Sequence, residues 1–554
     1  MLFTFVNLVC ISATIFGFSS VKRKIFNDNK KIKNQDFIFG VIFISMIALI
    51  GNFFLPLKFF SIFIIFFGLI LFLFNFFKKN YELNFLSYLI ILFLFCFFTH
   101  NNSLNYDSPF YHLQIIKWSS EYKISFGLVN LEQRYAMPSI WHQFLSLFNY
   151  KILGFNPVYL VSLIIFSLFF NQAINKKEYK KLSNLYIIFV NFFLFFFSLI
   201  HPFQDGIIFN HLGSPESDII GIVFFSYSFY FFIKILEDKK IEDFYYLLIF
   251  VFYGILTKIS YAYLGFLLLS SIFIFKKNIF KNKKIFFALT AVLFFWFIRN
   301  LIISGCFIFP ISFTCFDFSW NNINEIEYFL NEAKSWSRST RLRINAANFE
   351  YTLNSFEWFI PWFKDYYMNT SILKILSITF LFSSTSLLIG IFLNNLKFKE
   401  IINKNNLTIL IFVILGIYGW MQVPEVRYGH GLIILLIFLN FLIFVKSFKI
   451  NFQIEKMIKI SSFMILFLLC VKNYTVINTF NKNFSREFDY TNFIKIKNDS
   501  KFEIYSPNPE SLDASETLKF CGNFKGICGY LNHPTKLENL KISKNIYGYL
   551  IFMN

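Results

Sequence analysis

Long apolar runs separated by short polar segments are repeated along almost the whole chain. A helix needs about 20 apolar residues to cross the hydrocarbon core of a membrane. Measured against that length, the pattern predicts about fourteen spans, of which the eighth and ninth are short enough to form a broken or re-entrant pair. We therefore expect an all-α polytopic membrane protein with about 12–14 transmembrane helices. The predicted spans are residues 2–20, 36–57, 59–77, 83–99, 157–175, 183–201, 217–236, 244–257, 260–275, 285–304, 371–394, 406–423, 428–446 and 458–472.

Basic residues are concentrated in alternate connections between these runs. The connection 21–35 is rich in Lys and Arg, and the positive-inside rule assigns such a segment to the cytoplasmic side. Alternation from that point assigns the N-terminus, the loops 100–156 and 305–370, and the C-terminal tail to the outer side. The other basic clusters all fall on the cytoplasmic side: 78–79, 176–181, 239–240, 276–284, 397–404 and 446–456.

Composition supports a membrane protein and excludes a soluble one. Of the 554 residues, 56% are hydrophobic and 87 are Phe, more aromatic surface than a soluble chain of this length could bury. The net charge of +20 would indicate a nucleic-acid partner in a soluble protein. Here the lysines lie in short loops where orientation signals belong, so we expect no nucleic acid. The first apolar run has no basic segment before it and no small-residue cleavage site, so we interpret it as a retained span.

The chain divides into three segments by composition. Residues 1–79 carry N-terminal transmembrane helices, 80–472 form a transmembrane core with the two long outer loops, and 473–554 form a small extracytoplasmic tail. The tail is predicted to be a separate unit of mixed α/β structure, with short strands at 502–505 and 546–552. The long outer loops are too aromatic to be disordered, and loops of that length are commonly functional. We therefore expect the chemistry on the outer face.

The first candidate is Asp107, which precedes a Ser-Pro pair and an amphipathic stretch in the first outer loop. Such an acid is either the N-cap of a helix or a general base at the membrane surface. In the second case His112 and Gln114 would line the same site.

Four further charged residues stand at the predicted outer ends of apolar runs. Asp218 follows Ser214-Pro215-Glu216, and an acid there is costly unless it is paired or hydrated. The positive-inside rule does not explain Lys258, which is predicted to lie on the outer side. Snorkelling to lipid headgroups would account for Lys258 and Arg299, and an ordinary solvated turn for Arg427.

Taken together, these residues place two carboxylates and three cations on one face and at one depth. A carboxylate can take a proton from an acceptor hydroxyl, and cations can hold a phosphate leaving group that gains charge as its bond breaks. Apolar walls would hold the lipid tail of a donor.

At these residues the chain resembles the GT-C superfamily of membrane glycosyltransferases, which take sugars from polyprenyl-phosphate carriers. More narrowly, it resembles an uncharacterised group of bacterial polytopic proteins of GT-C type. The first three spans are extra relative to the usual core, and Asp107 lacks the usual acidic neighbour. The narrower resemblance rests on Tyr106-Asp107-Ser108, Tyr111-His112-Leu113-Gln114, Trp296, Arg299-Asn300, Ser304-Gly305, Pro310 and a Cys-containing tail.

The resemblance implies an enzyme of the bacterial inner membrane that serves envelope glycan or glycolipid synthesis, with a polyprenyl-phosphate-linked sugar as donor and membrane lipid around it. Asp107 and Asp218 would be catalytic. A divalent metal would suit the family, but one carboxylate rarely holds such an ion alone, so no cofactor is assigned. The implied substrate-binding residues are Tyr111, His112, Gln114, Lys258, Arg299 and Arg427.

Two other functions remain open. An O-antigen-polymerase-like enzyme or ligase would use arginines of the second outer loop, such as Arg338, Arg341 and Arg343, and would not need Asp107. A transporter or flippase would call for charges along a path through the membrane, whereas the ionisable residues lie mainly at the outer rim.

The seven cysteines do not have zinc-site spacing. Cys521 and Cys528 lie in the predicted outer tail, and the glycines between them let the chain turn back on itself. We expect them to form a disulfide that stabilises a unit with little core of its own.

Overall fold

The computed structural model describes residues 2–26, 30–99, 107–150, 156–175, 181–200, 212–340, 347–392, 404–448, 493–499, 502–507, 521, 524, 526–529 and 540–553. Within these ranges, nine helices are long and apolar enough to cross a membrane, and three shorter apolar helices accompany them. Each predicted span coincides with described helix except 458–472, which lies outside the described residues. The architecture is that of an all-α polytopic protein.

Helices predominate among the described residues up to 448, and short strands predominate in the described tail. The helices are α1 (Leu2–Ser19), α2 (Val21–Phe26), α3 (Phe37–Phe54), α4 (Lys58–Phe77), α5 (Phe85–Thr99), α6 (Leu113–Glu121), α7 (Ile140–Ser146), α8 (Val161–Ile174), α9 (Leu182–Ile200), α10 (Asp218–Asp238), α11 (Ile241–Thr257), α12 (Gly265–Phe275), α13 (Lys283–Ser304), α14 (Ile323–Arg338), α15 (Phe359–Asn369), α16 (Ser371–Phe392), α17 (Lys404–Gln422) and α18 (Val426–Ser447). The strands are β1 (Ile32–Lys33), β2 (Tyr81–Glu82), β3 (Phe493–Asp499), β4 (Phe502–Pro507), β5 (Ile527–Cys528), β6 (Lys541–Lys544) and β7 (Leu550–Met553).

Basic connections that were predicted to share one side of the membrane meet at one end of the helix bundle. β1 pairs in parallel with β2, which joins the connection after α2 to the connection after α4. Lys30 forms an ion pair with Glu242 at 2.5 Å, which adds the start of α11 to the same end. The alternation of basic and non-basic connections thus corresponds to two ends of the bundle in the described part of the chain.

The outer loops and the described tail residues share a second hydrophobic core at the opposite end of the bundle. Phe126 donates its backbone N–H to the carbonyl of Leu550 and accepts from the N–H of Phe552, both at 2.9 Å. Asn130 also donates to the carbonyl of Phe552, at 3.0 Å. Apolar residues of β7 are therefore buried against the first outer loop.

Within the tail, one of the two predicted strands is confirmed and the other is shorter than predicted. β4 pairs antiparallel with β3 and parallel with β5, while β6 and β7 form an antiparallel hairpin. The predicted strand 546–552 is reduced to β7 because its first residues form the hairpin turn, in which Gly548 has φ +82°.

The predicted broken pair is a helical hairpin. α11 ends at Thr257, Lys258 is extended (φ −149°, ψ 107°), and a short 3₁₀ segment then leads into α12. Tyr245, near the start of α11, donates to the carbonyl of Ile279 just beyond α12 at 3.0 Å, so the two helices run antiparallel. The hairpin places Lys258 at its tip, at the end of the bundle where the outer loops lie.

Candidate functional site

Asp107 lies at the start of the helical segment that leads into α6, and its carboxylate forms an ion pair with the guanidinium of Arg427 at the start of α18. It occupies the N-cap position but makes no side-chain capping hydrogen bond. Tyr111, one turn later, donates its hydroxyl to the same carboxylate at 3.4 Å. Neither the cap interpretation of Asp107 nor the solvated-turn interpretation of Arg427 describes these side chains.

Asp218 forms a second ion pair, with Lys258 at the tip of the helical hairpin. The Lys258 side chain is only 10% exposed, so it does not extend away from the protein as a snorkelling lysine would. Tyr428 joins the two pairs, because the Lys258 ammonium lies 4.3 Å and the Arg427 guanidinium carbon 5.1 Å from its ring centroid. Both cations gain from the negative face of one aromatic ring.

Hydroxyl groups connect the segments that carry the two acids. Ser108 donates to the carboxylate of Glu216 at 2.9 Å and is hydrogen-bonded to Ser214. Ser108 follows Asp107 directly, and Glu216 precedes Asp218 by two residues. The side chains of Ser108, Ser214 and Glu216 are all buried, so the start of α10 is fixed against the segment that carries Asp107.

His112 is hydrogen-bonded through Nδ1 to Nε2 of His142 at 2.8 Å, and both side chains are buried. His142 lies on the short helix α7, which the first outer loop folds back against α6. The predicted site residue His112 thus belongs to a histidine pair beside the charged cluster.

Burial and neighbouring charges set the protonation of these groups. Burial alone would raise the pKa of Asp107, but the Arg427 guanidinium holds it below its ordinary value, which favours the ionised carboxylate. Burial lowers the pKa of His112 and carries the pKa of His142 well below its ordinary value, to which His112 and Arg299 also contribute. Two neutral imidazoles can share a hydrogen bond with one ring as donor and the other as acceptor.

Arg299 of α13 is buried beside the histidine pair and is held by Gln143 of α7. With the Gln143 amide oriented to satisfy both groups, its oxygen accepts from Arg299 Nη2 at 2.9 Å and Nε at 3.0 Å, and from the Ser119 hydroxyl at 2.8 Å. Arg299 also donates to the side chain of Asn300 at 3.3 Å. Snorkelling does not describe Arg299, which is 3% exposed.

Gln114 is placed differently from the other predicted site residues. Its amide donates to the carbonyl of Cys521 in the tail at 3.2 Å, and Lys117 donates to the carbonyl of Gly526 at 2.7 Å. Cys521 and Cys528 form the predicted disulfide. In the described residues, Gln114 therefore holds the disulfide loop against α6, and its amide does not reach the two ion pairs. A second disulfide, Cys306–Cys315, closes the turn after α13 and was not predicted.

The charged cluster is largely enclosed. The exposed fraction of its ion-paired side chains ranges from 6% for Asp218 to 28% for Arg427. A cavity of about 470 Å³ lies elsewhere, between Asn130 and the segment 317–324, and another of about 600 Å³ lies between β4 and the β6–β7 hairpin. Neither of these two cavities is lined by Asp107 or Asp218.

A family model for a domain of unknown function (DUF8201) matches residues 1–434. The chain belongs to the DUF8201 family. The matched DUF8201 region contains both ion pairs, the histidine pair and Arg299, and it ends before the tail. No curated protein and no solved structure matches the chain.

Sequence reasoning missed three residues of this DUF8201 site: His142, Gln143 and Tyr428. The first two follow Ser139, a typical helix-start residue, in an outer loop already expected to be functional, so that local signal could have drawn attention to them. Tyr428 adjoins Arg427 and became significant only when Lys258 was found over its ring.

Proposed function

We propose that this protein is a membrane glycosyltransferase of GT-C type that moves a sugar from a polyprenyl-phosphate carrier to an acceptor. The reaction would occur on the outer face of the bacterial inner membrane, in envelope glycan or glycolipid synthesis. One observation carries the proposal: two carboxylates and two cations, from four separate segments, meet as adjacent ion pairs at one end of an apolar helix bundle.

In this proposal Asp107 is the general base. It accepts the proton of an acceptor hydroxyl, and the oxygen then bonds to the anomeric carbon of the donor sugar. The bond from that carbon to the phosphate oxygen breaks, and its electron pair leaves with the polyprenyl phosphate. Arg427 and Lys258 stabilise the charge that develops on this phosphate. Entry of the donor phosphate would draw Arg427 away from Asp107 and free the carboxylate to act as a base.

In this proposal, Arg427 and Lys258 neutralise the charge of the leaving phosphate. Within the described ranges, no three His, Cys, Asp or Glu side chains come together in a group that could hold a metal ion. Asp218 keeps Lys258 at the site in the absence of substrate, because an unpaired buried ammonium would be costly.

A transporter is one of two alternatives, and one observation favours it. Lys22 and Asp36 form a buried ion pair, at 2.8 Å, at the bundle end where the basic connections meet. Between the two charged ends, however, α10 and α11 pack through rings: Tyr227 stacks on Phe250 with centroids 4.5 Å apart. This close aromatic packing favours a fixed wall over a polar path between those helices.

For the polymerase or ligase alternative, Arg338 donates to the backbone carbonyl of Thr352 at 3.0 Å and lies over the ring of Trp358. These contacts are typical of a residue that stabilises the second outer loop. Arg341 and Arg343 lie outside the described residues.

The test is a transfer assay on purified protein in lipid nanodiscs with synthetic polyprenyl-phosphate sugars, preceded by native mass spectrometry of co-purified lipid. We expect a bound polyprenyl phosphate, and transfer that Asp107→Asn abolishes without loss of the folded protein. The matched control is Glu242→Gln, which breaks an exposed ion pair at the opposite end. Full activity of Asp107→Asn would refute the base assignment. Absence of any polyprenyl lipid, together with substrate flux in proteoliposomes, would favour the transporter.

A further inference from the structure

Helix α15 has three different faces. The first is buried against the protein and includes Trp362 and Tyr366, exposed by 2% and 4%. Trp362 donates its indole N–H to the carbonyl of Pro424 at 3.1 Å, and Tyr366 donates to the carboxylate of Glu425 at 3.0 Å. This face therefore holds the turn that leads into α18.

The second face is apolar and exposed. Phe359 is 43% exposed, Ile360 76% and Phe363 43%, and Phe356 just before the helix is 87% exposed. At about 100° per residue, Phe359, Ile360 and Phe363 fall on one side of the helix. Large exposed apolar patches of this kind commonly mark a contact surface.

The third side carries polar residues together with Met368, which is 63% exposed. The Asp365 carboxylate accepts from the Asn369 side chain at 3.0 Å, while Lys364, one turn after Ile360, borders the apolar face. A helix with one protein-facing side, one apolar exposed side and polar residues on the remaining side suits the boundary between a lipid layer and water.

We propose that α15 lies in the plane of the membrane, with Phe359, Ile360 and Phe363 inserted among the glycerol groups and upper acyl chains of the lipid leaflet on the charged-cluster side. The lipid assignment rests on continuity. Only Thr370 separates α15 from the apolar helix α16, which has strongly exposed apolar residues of its own. The apolar face of α15 therefore lies next to the level at which α16 would enter the hydrocarbon.

The buried face of α15 also connects the lipid to the charged cluster. The buried face of α15 holds Pro424 and Glu425, and Trp420 donates to the carbonyl of Glu425 at 2.8 Å. Arg427, two residues further on, is the partner of Asp107. Insertion of α15 thus supports the turn that positions this cation.

Photo-cross-linking of the full-length protein tests the proposal. Benzoylphenylalanine is introduced separately at Ile360 and Phe363, and at Asp365 and Asn369 as controls on the opposite side of the helix. Each variant is reconstituted in vesicles of phosphatidylethanolamine and phosphatidylglycerol, irradiated and analysed by mass spectrometry. We expect phospholipid adducts at least several-fold more abundant at 360 and 363 than at 365 and 369.

Equal adduct yields at all four positions, or a cross-linked second protein copy in place of lipid at 360 and 363, would overturn it. Two labelled positions on the apolar face guard against one variant failing to fold. No sugar donor is needed, so the result is independent of the proposed transferase activity.

Discussion

The guanidinium of Arg427 lies against the carboxylate of Asp107, which is 320 residues earlier in the chain. The contact joins the first outer loop to the start of α18, and Tyr428 extends it to the Lys258–Asp218 pair. The first outer loop, which carries Asp107, and the start of α18, which carries Arg427, are therefore connected directly within the charged cluster.

A double-mutant cycle measures this contact. Asp107→Asn leaves a mostly buried guanidinium without its anion, and Arg427→Gln leaves the carboxylate without its cation. We expect each to lower the free energy of unfolding by about 1–3 kcal/mol, and the double variant to lose less than the sum. The same cycle on Lys30 and Glu242, whose side chains are more than half exposed, should give a coupling of about 0–1 kcal/mol. Equal coupling energies for the two pairs would contradict the assignment.

Tyr428 should act through its ring. Tyr428→Phe keeps a face for both cations, whereas Tyr428→Leu removes it, so only the leucine variant should lose stability, by about 1 kcal/mol. Thermal unfolding in the same detergent compares the two variants. If phenylalanine is as damaging as leucine, the hydroxyl and not the ring is what matters.

The histidine pair predicts a pH dependence of stability. Histidines in the unfolded chain titrate near 6.5, whereas burial lowers the pKa of both His112 and His142 in the folded protein. The unfolded state therefore binds more protons below about pH 6.5. Stability should be unaffected above that pH and should fall below it, by up to about 1.4 kcal/mol per pH unit for each histidine. Melting temperatures between pH 7.5 and 5.5 should fall less for His142→Gln than for the unaltered protein; parallel curves would show that this pair does not contribute.

The two disulfides predict sensitivity to reductant. Cys306 and Cys315 are nine residues apart, and replacing both by Ser should cost about 2–3 kcal/mol through the greater freedom of the unfolded chain. Alkylation without reductant, followed by mass spectrometry, should leave these two and Cys521 and Cys528 unmodified. Cys10, which belongs to neither disulfide, serves as the control, since Cys10→Ala should not change the response to reductant. Alkylation of all four cysteines in the folded protein would disprove both bonds.

Much of the helical scaffold could be predicted from the chain alone. The apolar runs became helices with nearly the predicted bounds, because the need to satisfy backbone polar groups in an apolar surrounding is a local property of each run. The charge asymmetry of the connections likewise indicated which of them meet, as the β1–β2 pairing illustrates. The Cys521–Cys528 bond could be predicted because the tail was assigned to the outer side and the glycines between the two cysteines let the short loop turn back on itself.

The partners of the charged residues could not be obtained in this way. The local sequence around Asp107 suits a helix cap and an ion-pair partner of Arg427 equally well. Which role Asp107 takes depends on how α18 packs beside the first outer loop. Gln114 was grouped with His112 from its position in the segment, yet its amide reaches the tail, because residues two apart on a helix point to different sides. The periodicity of apolar residues indicates which side chains are buried. Packing between segments that are distant in the sequence decides which carboxylate pairs with which cation.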